Sequence, residues 1–326
     1  MSNLEYYAGI DIGGTSIKYG LADSEGKVLY RDQKPALVEK GARPLLHLIT
    51  NIAENLLLHA AEDDIAVNWL GVGSPGTVDI QKGIVVGACP NIPDWVGIEI
   101  GPHLKDRLNM PVYVDNDVNA MALAELKYGA ARRFSSAICL TVGTGIGGAV
   151  IINKELWRGS NFSAGEIGHI VINANGDKCR CGNRGCLEVY CSSAAMLNRV
   201  REKTKNGMSE TLSETLSGNI GSLNIKKLFA AARKGDEMAL EVIDETAKIL
   251  GAGLSGVVNL LNPQALIFGG GIIDGGAGFI ETVGAEIRNR AFPSATENLK
   301  ILKAELGNDA GFVGAGLLGV YKSREN

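Results

Sequence analysis

The chain opens with an apolar stretch that breaks at a pair of glycines. The segment 6-YYAGIDI-12 predicts a strand that turns at Gly13-Gly14, 16-SIKYGLAD-23 a second strand, and 27-KVLYRDQ-33 a third beyond the turn at Ser24-Glu25-Gly26. Leu45, Leu48, Ile49, Ile52 and Leu56 then recur on one face and predict a helix from Pro44 to His59. The run 67-VNWLGVG-73 ends in Ser74-Pro75-Gly76, and a short helical segment covers Gly101 to Leu108. The strand 111-PVYVDND-117 passes directly into a helix over Val118 to Tyr128.

The order then restarts. Strand 136-SAICLTVG-143 ends in a glycine-rich turn, and 147-GGAVIINKELW-157 reads as its single hairpin partner. Set beside each other, 8-AGIDIGGTSIKYG-20 and 138-ICLTVGTGIGGAV-150 are either two copies of one βββαβα plan or two unrelated hairpins. Residues 201–227 are polar and read as a surface excursion with a weak helix. Helical patterning returns over Lys226 to Lys234 and Glu237 to Asn259, before a strand from Ala265 to Phe268. The turn Gly269-Gly270-Gly271 follows, and the last helix starts near Gly311, with a polar end from Lys322 to Asn326.

A chain of 326 residues accommodates two lobes of roughly 150 residues each. With 45% hydrophobic and 21% charged residues it can fill their cores and keep a polar surface. The net charge of -4 and the absence of any basic stripe argue against a nucleic-acid partner. No basic-apolar leader opens the chain and no run of about twenty apolar residues occurs, so the expectation is a cytoplasmic protein with no membrane partner.

Two turns suit phosphate. Backbone N–H groups approach a phosphate closely where side chains do not intervene, as at Gly13-Gly14-Thr15 and at Gly143-Thr144-Gly145, where the threonines add hydroxyl donors. Either turn alone is equally a tight hairpin, and neither is a GxxxxGK[ST] loop. Asp11, just ahead of the first turn, repels phosphate unless a cation such as magnesium lies between them; its alternative is to cap the turn. Gly270 and Gly271 leave a backbone surface against which a base or ribose, or simply a helix, can lie.

Asp115, Asn116, Asp117 and Asn119 cluster where a strand becomes a helix. Helix capping accounts for one such side chain but not for four, whereas a hydroxyl nucleophile needs a carboxylate to take its proton and further polar groups to hold it. Glu166 and Glu188 can each accept hydrogen bonds from adjacent sugar hydroxyls, or be surface residues. In 179-CRCGNRGC-186 with His169 upstream, three thiols and an imidazole make a closed tetrahedral shell for a structural zinc, which would pin Glu166 and Glu188 toward one pocket. The remaining cysteines, Cys89, Cys139 and Cys191, are scattered.

Taken together, DIGGT from Asp11, GVGSPG at 71–76, ND at 116–117, GTGIGG at 143–148, GEIGH at 165–169, CxCGxxGCxE at 179–188 and GGG at 269–271 resemble the ROK sugar kinases of the hexokinase/actin-like ATPase superfamily, and most of all their glucokinases. The resemblance implies an α/β fold of two actin-like, ribonuclease H-like lobes with a ligand cleft between them and a zinc loop. It places residues 1–118, completed by about 312–326, in the N-terminal lobe and 119–311 in the larger C-terminal one.

The implied activity is ATP-dependent phosphorylation of a hexose at the 6-hydroxyl, most of all glucose, with Asp117 as general base. Gly76, Asn116, Asp117, Glu166, His169 and Glu188 would bind the sugar. Asp11, Gly13, Gly14, Thr15, Gly143, Thr144, Gly145, Gly270 and Gly271 would bind ATP with Mg2+, and His169, Cys179, Cys181 and Cys186 would hold Zn2+. The implied assembly is a homodimer, or a tetramer. Alternatives are an N-acetylmannosamine or N-acetylglucosamine kinase, a nonenzymatic sugar-binding module, and a sugar-responsive repressor, for whose winged helix the start of the first motif at Asp11 leaves no room.

Overall fold

The first three strands form a meander: β1 (Tyr6–Ile12), β2 (Ser16–Asp23) and β3 (Val28–Pro35) pair antiparallel in order. β4 (Val67–Ser74) then pairs parallel with β1, β5 (Thr77–Asp79) and β6 (Ile84–Gly87) form a separate two-stranded sheet, and β7 (Val112–Asn116) pairs parallel with β4. Parallel neighbours cannot be joined by a tight turn, and helices Ala42–Glu62 and Ile100–Leu108 supply the crossovers. The resulting order is β3-β2-β1-β4-β7.

The computed structural model describes residues 4–87, 89–276 and 278–322; the polar end assigned to the last helix beyond Lys322 lies outside them. One compact unit gathers the chain through Phe134, Ala149–Gly165 and the segment from Ala304 onward, and the other consists of Ser135–Gly148 and Glu166–Lys303.

In the first unit, Ile10, Ile12, Ile17 and Leu21 are buried with Leu45, Ile49, Ile52 and Leu56 of the crossover helix, the residues whose spacing predicted it. The helix Ala310–Lys322 packs against β1 and β4. It comes so close that a Cβ at Gly9 or Gly71 would overlap the carbonyls of Phe312 or Ala315.

The second sheet repeats the plan. β8 (Ala137–Val142), β9 (Ile146–Ile152), β10 (Glu155–Trp157), β11 (Ala265–Gly269) and β12 (Lys300–Lys303) lie in the order β10-β9-β8-β11-β12. Numbered within each sheet, both orders read 3-2-1-4-5, so the two glycine turns belong to the same topological position. The expected single strand 147–157 is instead two, β9 and β10. They are separated at Asn153 and Lys154, both left-handed with φ of 54° and 64°, a backbone that reverses a two-residue hairpin.

Residues 201–227 hold the expected short helix, but it is not confined to the surface. Glu210–Leu216 is a helix capped by the Ser209 side chain, and Leu212 and Leu216, four apart, are buried in the core of this unit. Helices Glu237–Leu261 and Phe279–Arg290 pack on each other, burying Leu250, Leu254, Val283 and Ile287 in the same core. Among the described residues no helix is long and apolar enough to cross a membrane.

Candidate active site

In the first unit the polar cluster sits where β7 gives way to helix Asp117–Lys127. Asn116 is the N-cap: its Oδ1 accepts from Val118 N at 2.8 Å and Asn119 N at 3.2 Å, satisfying amides that the helix itself cannot. Its Nδ2 donates to the Gly76 carbonyl at 3.2 Å, which brings that residue of the 71-GVGSPG-76 turn to the cluster. Asp117 Oδ1 accepts from Val118 N at 3.0 Å, so the carboxylate lies at the positive end of the helix, where negative charge is stabilised.

Asp115 anchors the cluster. Its Oδ1 accepts from Asn116 N at 2.7 Å and Asn119 Nδ2 at 2.9 Å, and its Oδ2 accepts from Arg158 Nε and Nη2, both at 2.8 Å. Asp115 is 2% exposed, so this charge is paired out of water, where a partner matters most. Arg158 went unnoticed in the sequence because a lone arginine after a strand has no distinguishing pattern. Its backbone carbonyl also accepts from Ala164 N at 3.0 Å, closing the loop before Gly165.

The first glycine turn is closed by the Gly13 N–H donating to the Ser16 carbonyl at 3.0 Å, and a Cβ on Gly14 would meet nothing within 4 Å. That open side is the feature a phosphate requires. Asp11 reaches solvent in part, yet desolvation pushes its carboxyl up to about 6, against a smaller lowering by Lys18. The carboxylate lies against Gly311 in the first turn of the terminal helix, where a side chain would collide with it. A raised carboxyl of this kind suits a divalent cation, whose charge favours the ionised form.

In the second unit, Gly143 N donates to the Gly145 carbonyl at 2.9 Å, forming a tighter turn. Gly270, at φ 99°, has no room for a Cβ against the Val142 backbone, while Gly271 is open. Glu188 begins a short helix, and its Oε2 accepts from Ile146 N at 2.9 Å. Glu166 precedes the one-turn helix Ile167–His169, and His169 is its last residue. The Glu166 carboxyl is raised by the neighbouring chain atoms that displace water, lowered by His169, and raised again by Glu188; its side chain still reaches solvent.

The ligand atoms of His169, Cys179, Cys181 and Cys186 all lie within 4.8 Å of one another. The His169 Nδ1 to Cys179 Sγ and Cys181 Sγ to Cys186 Sγ separations are both 3.7 Å, close to the ~3.8 Å edge of a tetrahedron with ~2.3 Å zinc–sulfur bonds. The donor set and its spacing therefore fit zinc. With Nδ1 turned to the cluster, Nε2 is the nitrogen that can face a ligand. The tight turn is built by Gly182 and Gly185, both at positive φ.

These are the turns, the acid-bearing helix start and the closed Cys/His shell of one class of α/β protein. The ROK family model matches residues 7–320, and the chain belongs to the ROK family. A glucokinase of Thermotoga maritima is 36% identical, over 94% of this chain and 95% of its own length. A xylose repressor of Caldicellulosiruptor bescii is 31% identical over 94% of this chain and 76% of its own. A ROK family glucokinase from Streptomyces griseus, solved in complex with glucose and AMPPNP, superposes with a TM-score of 0.86 at 32% identity, covering 96% of this chain and 98% of that one.

Proposed function

We propose that this protein is an ATP-dependent hexose kinase that phosphorylates the 6-hydroxyl, with glucose as its main substrate. The observation that carries the reading is the Asp115-Asn116-Asp117 network: Asp115 and Asn116 each make several hydrogen bonds that fix the turn, and Asp117 is presented at the helix start. Asp117 accepts the proton of the attacking hydroxyl, and Asn116, with the Gly76 turn it holds, positions the ring. Glu166, His169 and Glu188 of the second unit take the remaining ring hydroxyls. Bound ATP with magnesium supplies the phosphoryl group and neutralises its charge.

Asp11 orients the cation, and Gly13, Gly14, Thr15, Gly143, Thr144 and Gly145 offer backbone and hydroxyl donors to the phosphates. Gly270 and Gly271 leave a surface for the nucleoside. His169, Cys179, Cys181 and Cys186 would hold zinc, and the bound ion would keep the loop between Glu166 and Glu188 in shape. The assignment to glucose is supported by the glucokinase relatives and by 91-NIPDW-95, where the buried Trp95 indole donates to Ser74 Oγ at 3.1 Å, tying this segment to the 71-GVGSPG-76 turn. The assembly expected is a homodimer, which light scattering measures.

The test is ADP release with ATP and magnesium across glucose, mannose, fructose, N-acetylglucosamine and N-acetylmannosamine. Preference for glucose is expected; preference for an acetylated sugar overturns the substrate and keeps the mechanism, and silence with every sugar overturns the kinase. The likeness to xylose repressors favours one second reading, a sugar-responsive regulator. It predicts sugar binding and sugar-dependent binding to operator DNA without ADP release.

A further inference from the structure

Within the second unit, a candidate sugar ligand and a candidate phosphate turn touch. Glu188 reaches back from its short helix so that Oε2 accepts the Ile146 N–H, the first amide of β9 and one residue beyond Gly145. A Cβ on residue 145 would stand 2.5 Å from that oxygen and 3.4 Å from the carboxyl carbon. Gly145 is outside the left-handed region of backbone space, so the neighbouring carboxylate, not the turn, is what requires a glycine there.

Two further contacts grip the same turn. Ser193 N, at the start of helix Ser193–Lys203, donates to the Gly143 carbonyl at 2.8 Å. Gly168, adjacent to His169, packs on the Ile146 carbonyl with no space for a side chain. The segments bearing His169 and Glu188 therefore both bear on residues 143–146. Glu188 Oε1 has no hydrogen-bond partner among the described residues.

We propose that Glu188 couples the two substrates: Oε2 holds the phosphate turn while Oε1 accepts a sugar hydroxyl, so that sugar and nucleotide bind cooperatively, and Gly145 is the residue that permits this contact. A hydroxyl donating to Oε1 fixes the carboxylate, the carboxylate fixes Ile146 N, and the ordering cost of the turn is then already met when the nucleotide arrives. Linkage makes the effect reciprocal, so nucleotide tightens sugar by the same factor. The inference rests on the kinase reading for the identity of its two ligands.

Calorimetric titration of the full chain with glucose, without and with AMPPNP and magnesium, tests it. In the wild type the nucleotide should tighten glucose by about tenfold, within the usual range of site-to-site coupling. Gly145→Ala should weaken glucose by about tenfold in the absence of any nucleotide and reduce the coupling to less than about twofold. Adding Glu188→Gln to Gly145→Ala should cost little more than either change alone, since both act on one contact.

Glucose affinity in the wild type that ignores AMPPNP overturns the proposal, as does full additivity of the two substitutions. Should Gly145→Ala not fold by circular dichroism, Glu188→Asp decides, because it withdraws the carboxylate from Ile146: AMPPNP affinity must then be equal with and without saturating glucose, and retained coupling overturns the proposal. Failure of the kinase reading is distinguishable. Coupled binding without ADP release removes the kinase and leaves the coupling, whereas ADP release without coupled binding does the reverse.

Discussion

Near the end of β1 the chain places a carboxylate, Asp11, against a helix terminus kept bare by Gly311. At the equivalent place near the end of β8 the residue is Thr141, and a carboxylate arrives instead from outside the hairpin, as Glu188 on Ile146 N. Two sheets with the order 3-2-1-4-5 thus carry their acids by different routes, one within the hairpin and one from a distant loop beside the Cys/His cluster. The difference teaches that repeated topology supplies a turn twice, while the charge beside each turn is set by what packs on it. A carboxylate on its own strand end suits a fixed cation site; one that arrives from a separate segment suits a group that must also meet a second ligand.

The sharpest break in this comparison is at the first unit's helix start. Asp117→Asn should lower turnover by about a thousandfold through loss of the base while leaving glucose binding within a few-fold, as ADP release and calorimetry will show. In the second unit, Cys186→Ser removes a ligand of the expected zinc. Elemental analysis should then find far less than one zinc per chain, and a loss of about 4 kcal/mol should lower Tm by about 10 °C and weaken glucose binding. Zinc content unchanged by this substitution would remove the proposed role of the cluster.

Arg158→Ala leaves the Asp115 charge buried and unpaired, and should destabilise the first unit by about 3 kcal/mol in denaturant titration, with Arg158→Lys recovering part of it. The smallest effect concerns Asp11. Its folded carboxyl, near 6, lies above the ordinary 3.8, so the fold gains from protonation of this group below about pH 4 and loses that gain as pH rises through 6. In magnesium-free buffer Asp11→Asn should therefore stabilise the protein at pH 8 by about 2 kcal/mol, discounted from the full shift for the part that reaches solvent, and by little at pH 4. A uniform gain at both values would show that desolvation of the charge is not the cause.

Much of this was legible along the chain. The apolar run Tyr6 to Ile12, the glycine turn after it and the second strand Ser16 to Asp23 match β1 and β2 to the residue, and the Leu45 to Leu56 stripe is the buried face of the first crossover helix, because its short-range periodicity and core burial agree. The three thiols of the Cys/His cluster could be named from spacing, since a turn of eight residues with two glycines constrains where they can go; His169 lies ten residues upstream of that turn. Leu212 and Leu216 were hidden in a polar stretch: two leucines in a seven-residue helix make too short a stripe to read, and only the core they fill identifies them.

The local turns, the helix start at Asp117 and the cysteine turn 179–186 were determined by the sequence itself, since each depends on residues within about ten positions of one another. Only tertiary structure brought Arg158 to Asp115, Gly311 to Asp11 and Glu188 to Ile146, contacts that span 43, 300 and 42 residues. No local propensity encodes such pairs. They form because sheet order and helix packing bring distant segments together, and a charge withdrawn from water then needs a partner or a matching space.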